Sequence, residues 1–189
     1  MIFESNPGFV FHDSRGFEAG RSSELDDVKN FIKSYSSKLR RSSKRLHVIW
    51  YCIPINNQGR PITRAELNFF DECGTGKIPV LVLFTKADML DAETIECLVN
   101  SGMSLEEAAI KAPEESAIKF QNSFGNQLYK KKYPPTGHLY LRDMQTTSSH
   151  CNALMEHTAA LLSADIIKQL FFSVQQHHLS LSVQHAIMR

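Results

Sequence analysis

The chain has 189 residues, 42% of them hydrophobic and 22% charged, which is enough apolar material for one globular domain with a real core. Its 21 Lys plus Arg nearly balance 20 Asp plus Glu, and a net charge of +1 gives no basis for binding nucleic acid or an anionic membrane. Cys52, Cys73, Cys97 and Cys151 form no Cys-x-x-Cys pair, no apolar run reaches the roughly 18 residues of a spanning helix, and the first residues lack a signal-peptide pattern. Reduced thiols and a cytoplasmic setting are the expectation.

Short apolar runs alternate with longer amphipathic ones. Gly8 to His12 reads as a strand that delivers Asp13 at its end. From Ser23 to about Arg41 the stripe of Leu25, Val28, Phe31 and Ile32, with Ser23 as the cap and Glu24, Asp26 and Asp27 in the first turn, predicts a helix. Leu46 to Ile53 is nearly all apolar and is bounded by Pro54, so it reads as a strand covered on both faces.

Thr63 is placed to cap a helix through Cys73, and Ile78 to Phe84 is a third buried strand with Pro79 tolerable near its start. Helices follow at Ala92 to Asn100, Ser104 to Ala112 and Glu114 to Lys132, with Gly102 and Pro113 as breaks. His138 to Arg142 is a fourth strand, and Cys151 to Ser163 and Asp165 to about Met188 are closing helices. The alternation predicts an α/β fold with about four mostly parallel strands flanked by helices. Residues 1–163 form the domain, and 164–189 a helical extension on or beside it.

Two short segments carry chemistry. Asp13-Ser14-Arg15-Gly16 follows a predicted strand, where a carboxylate can hold Mg2+ through water and a glycine N–H can reach a phosphate; the alternative is a simple turn, which also favours Asp and Gly. Thr85-Lys86-Ala87-Asp88 follows another. There an Asp carboxylate can accept two hydrogen bonds from the N1–H and N2–H2 edge of guanine, while Lys86 lays its stem along the base; the alternative is Asp88 as a helix cap. Both lie at the carboxyl ends of strands, in the right order, with one helix–strand–helix unit between them, and that edge is where open α/β sheets bind ligands.

With these segments in place the chain resembles the P-loop GTPases of the translation-factor-related class, and within them G-domain-containing proteins of mushroom-forming fungi. Phe11 to Gly20 and Leu170 to Gln176 carry that closer likeness. The resemblance implies a partial G domain that binds GTP or GDP with Mg2+. Asp13 and Gly16 match the third GTPase motif, Asp13 being the metal contact. Thr85, Lys86 and Asp88 match the fourth, with Thr85 where Asn is commoner. The fifth falls on Asp143, Met144 and Gln145, so Met144 is expected beside the base.

No Gly-x-x-x-x-Gly-Lys-Ser/Thr segment is present; Gly76-Lys77 is followed by Ile78 and precedes a strand. The resemblance therefore implies that the phosphate loop, the first strand and helix, and most of the second strand are lacking, with Met1 to Phe3 as its stub. Phe17 stands where many GTPases carry a water-positioning Gln. No catalytic residue is assigned, and hydrolysis is expected to be absent or very weak.

In the resembled topology the lacking strand lies between Gly8–His12 and Leu46–Ile53, which predicts direct pairing of those two strands or a distorted sheet. Unpaired edges invite a protein partner or self-association. The competing functional reading is thus a non-enzymatic interaction module of GTPase descent; a third is a reading frame that begins inside a longer G domain.

Overall fold

A computed structural model describes residues 2–3, 6–14, 22–36, 45–55, 62–146 and 151–166. A parallel sheet of order β3-β4-β5 is formed by β3 (Ile49–Pro54), β4 (Val80–Thr85) and β5 (Gly137–Tyr140). A separate antiparallel pair joins β1 (Ile2–Phe3) to β2 (Asn6–Val10). The helices are α1 (Ser22–Ser36), α2 (Arg64–Glu72), α3 (Asp88–Asn100), α4 (Leu105–Phe120), α5 (Asn126–Tyr129) and α6 (Asn152–Leu161).

The expected α/β class with a parallel sheet is present, but among the described residues the sheet has three strands, not four. The strand expected at Gly8 to His12 spans Asn6–Val10 and takes β1 as its partner, so it does not pair directly with β3. Its link to the parallel sheet runs through side chains just beyond it: the ring of Phe11 lies 5.7 Å from that of Trp50 on β3, and His12 lies 5.1 and 4.9 Å from Phe31 and Tyr35 of α1.

β4 is the hydrophobic centre. From Val80 to Phe84 no residue is more than 5% exposed. One face of the sheet, with Tyr51, Ile53, Val82 and Phe84, packs on Leu25 and Ile32 of α1, Phe69 and Phe70 of α2, and Phe120 and Leu128. The other, with Leu81 and Leu83, packs on Leu154 of α6. Trp50 reaches α6 by donating from Nε1 to Thr158 Oγ1 at 3.0 Å. Cys52 remains exposed, so β3 is not covered on both faces by the described residues as expected. Its burial alternates, with Tyr51 and Ile53 turned inward.

Local chemistry explains several element ends. Thr63 caps α2 as predicted, and Glu66 returns its carboxylate to the Thr63 N–H at 2.7 Å, completing a capping box. α3 stops at a Schellman arrangement: Gly102, at φ 98, donates to Val99 O at 2.9 Å, and Met103 donates to Leu98 O at 3.2 Å.

Pro113 does not break a helix. α4 runs through it, because the buried stripe of Ala108, Ala112, Ser116 and Phe120 is worth more than one lost backbone bond. A π turn (Gln121–Gly125) then leads into α5, which ends at Tyr129, short of the expected Lys132. α1 begins at Ser22, placing Ser23 in its first turn instead of at the cap. Its expected course to Arg41 and the helix expected from Asp165 extend outside the described residues.

Phe70 is fully buried and touches the rings of Tyr51 and Phe69. Phe70→Ala is expected to cost about 3–5 kcal/mol, measured by urea unfolding. His138 is held below the usual histidine range, first by desolvation and then by the charge of His157, and its Nδ1 lies 2.6 Å from Tyr129 Oη. Since the native state disfavours imidazolium, stability is complete above the ordinary value near 6.5 and falls as the pH drops below it. Urea titrations at pH 7.5, 6.5 and 5.5 should show this loss, and His138→Gln should flatten it.

Candidate functional site

Parallel pairing brings the carboxyl ends of β3, β4 and β5 to one edge, with Pro54 opposite Thr85 and Phe84 opposite Tyr140. β4 ends at half-buried Thr85, whose carbonyl accepts from Ile55 N–H at 2.8 Å. Lys86 then adopts a left-handed backbone, φ 58, and is exposed. That one residue turns the chain from strand into helix, which is why α3 starts at Asp88 and not at Ala92. Ala87 is fully buried and donates to Leu141 O at 3.0 Å, while Leu141 donates back to Phe84 O at 2.9 Å.

This zipper places the segment after β5 against the segment after β4. The cap position of α3 is occupied by Ala87 without a side-chain cap bond. Asp88 therefore does not cap the helix; its Oδ1 accepts the backbone N–H of Asp143 at 3.3 Å. Asp143 is the second non-glycine residue with a left-handed backbone, at φ 52. Its carbonyl accepts both the N–H and the hydroxyl of Thr146 at 2.9 Å, closing a turn that holds exposed Met144.

Arg142 anchors this turn from behind. Nε donates to Asp91 Oδ2 at 2.7 Å, and one terminal nitrogen reaches Asp91 Oδ1 at 3.3 Å, Pro113 O at 2.7 Å and Ser116 Oγ at 3.4 Å. Ser116 in turn donates to Asp91. The two charged side chains are 23% and 13% exposed, so the pair is largely withdrawn from water. Tyr140 lies beneath the guanidinium, 5.6 Å from ring centre to Cζ, and its phenol is pushed up to about 12, mainly by burial.

The predicted residues thus divide. Thr85, Lys86, Asp88 and Met144 gather on two loops bonded to each other. Asp13 is exposed near β3: its charge adds to burial in raising the thiol of Cys52, although Cys52 itself reaches solvent. Gly16 lies outside the described residues. Among the described residues, no group of three or more His, Cys, Asp or Glu side chains could hold a metal ion.

Arg142, Asp91, Ser116 and Asp143 were not singled out as a set by sequence reasoning. Arg142 and Asp91 are 51 positions apart, and no local periodicity links them. The nearest sequence signal is the spacing of Asp88 and Asp91, which share one helix face at i and i+3. A cavity of about 300 Å³ lies farther along α3 and α4, lined by residues including Leu90, Thr94, Phe120 and Phe124. It contains none of the sequence-predicted residues, and the ion pair of Glu93 with Lys119 belongs to its wall.

Comparison with known protein families, with curated proteins and with solved structures returns no match.

A left-handed backbone suits Asp and Gly far better than a β-branched residue. Asp143→Val is expected to lower stability by about 1–3 kcal/mol, whereas Asp143→Gly should stay within about 1 kcal/mol of the parent, both read from urea midpoints.

Proposed function

We propose that this chain is of GTPase descent and recognises the guanine base of GTP or GDP with Asp88 and Lys86. The observation that carries the reading is the placement of Asp88: its carboxylate is released from capping α3 and faces the loop after β5. One bond from Asp143 leaves capacity on the carboxylate for the guanine N1–H and N2–H2 donors. Thr85 ends the strand that delivers Lys86, and Met144 lies on the facing turn. An antiparallel pair beside a parallel run of three is also compatible with a G domain whose intervening strand is supplied by no described residue here.

Mg2+ would enter with the nucleotide phosphates. Asp13 and the N–H of Gly16 are the proposed contacts, Asp13 serving through water because a single carboxylate does not make a metal site. The chain holds no phosphate-binding loop sequence, so the reading is base recognition with weak phosphate affinity and little or no hydrolysis. A cytoplasmic location fits four free thiols, and no helix among the described residues is long and apolar enough to cross a membrane.

A second reading, a non-enzymatic interaction module, is favoured because β3 is an edge strand among the described residues and Cys52 on it and Val10 at the end of β2 are exposed. Calorimetric titration of Mg2+–GDP, Mg2+–GTP and Mg2+–ADP separates the two. Guanine nucleotides are expected to bind more tightly than ADP, and Asp88→Ala to cut that preference at least about tenfold. Equal or undetectable binding of all three, together with concentration-dependent sedimentation, would leave the interaction module.

A further inference from the structure

We infer that the Arg142–Asp91 pair is the positioning device of the base-reading site, aligning the Asp88 carboxylate through the backbone of Asp143. This rests on the guanine-binding reading above. Two consecutive residues of the β5 loop are fastened to two residues one turn apart on α3. The side chain of Arg142 forks onto Asp91, and the N–H of Asp143 meets Asp88. Since Asp88 and Asp91 share a helix face, the two bonds act as a staple that sets both the height and the rotation of the loop over the first turn of α3.

The fork has further partners on α4. The terminal nitrogen that reaches Asp91 also reaches Pro113 O and Ser116 Oγ, and Ser116 donates to Asp91. An arginine in this setting fixes direction as well as charge, because its planar donors must satisfy several acceptors at once. The left-handed backbone of Asp143 is unfavourable for a non-glycine residue and persists where neighbours enforce it. Release of Arg142 lets Asp143 relax, withdraws its N–H from Asp88, and leaves the carboxylate free to rotate away from a bound base. Arg142 touches no base in this scheme; it acts through Asp143 and Asp88.

A role in stability alone would lower affinity for all nucleotides alike. Positioning instead predicts loss of discrimination between GDP and inosine diphosphate, whose base lacks the 2-amino donor. The parent chain is expected to prefer GDP. Arg142→Lys, which keeps the charge but loses the fork, and Asp91→Asn, its neutral counterpart, should each reduce that preference about tenfold. In an Asp88→Asn background, Arg142→Lys should cause no further loss.

A folded Arg142→Lys or Asp91→Asn chain that keeps the parental GDP preference overturns the inference while leaving guanine binding intact. So does a loss that simply adds to that of Asp88→Asn. Absence of any GDP preference in the parent chain overturns the guanine reading and the staple together. Hydrogen exchange in the parent chain tests the staple without a variant: the Asp143 amide should be protected, and exchange at the rate of a free loop overturns it.

Discussion

β4 must be enclosed on both faces and paired on both edges, because Val80 to Phe84 offer water nothing but apolar side chains and backbone polar groups. Two parallel neighbours satisfy its backbone, and helices cover its faces. Parallel pairing forces each connection to return across the sheet, so the ends of β3, β4 and β5 emerge together. The meeting of Lys86–Asp88 with Leu141–Met144 is a direct consequence. It arises from burial of the central strand, with Ala87 as the buried corner where the two loops join.

Among the described residues, several unfavourable local choices lie near that corner. Lys86 and Asp143 hold left-handed backbones, and Pro113 sits inside a helix. Arg142 links the latter two, bonding Pro113 O while preceding Asp143. Each feature costs something alone; Asp143 donates its N–H to the Asp88 carboxylate, Lys86 lies two residues before Asp88, and Pro113 is joined to the facing turn through Arg142. Local irregularity on the two loops that meet at half-buried Asp88 is the pattern of a segment whose geometry is enforced by its surroundings.

The opposite flank of the sheet is built differently. β3 turns Tyr51 and Ile53 into the core, while Cys52 reaches solvent and Trp50 is half-buried. The antiparallel pair approaches through Phe11 and Trp50 instead of a backbone ladder. Side-chain packing of this kind is less directional than strand pairing, so the segment bearing Asp13 is tied to the sheet by different forces from those that hold Asp88.

The class of fold was legible because its signals are local. Apolar runs marked β3, β4 and β5, the capping pair Thr63 and Glu66 opened α2, and Gly102 closed α3. The polar candidates at the end of β4 were legible for the same reason. Pro113 misled because its local penalty is visible in sequence, whereas the packing that offsets it depends on a neighbouring helix. The strand count erred because an apolar run does not state its partner, and β2 pairs with β1.

By itself, the sequence determined which segments had to be buried and that Thr85 to Asp88 would stand at the end of the central strand, since hydrophobic periodicity and caps act within a few residues. Only the tertiary structure decided that Asp88 faces Asp143 instead of capping α3, and that Arg142 reaches Asp91. Those bonds join residues more than fifty positions apart, and they exist because a parallel sheet brings its strand ends to one edge.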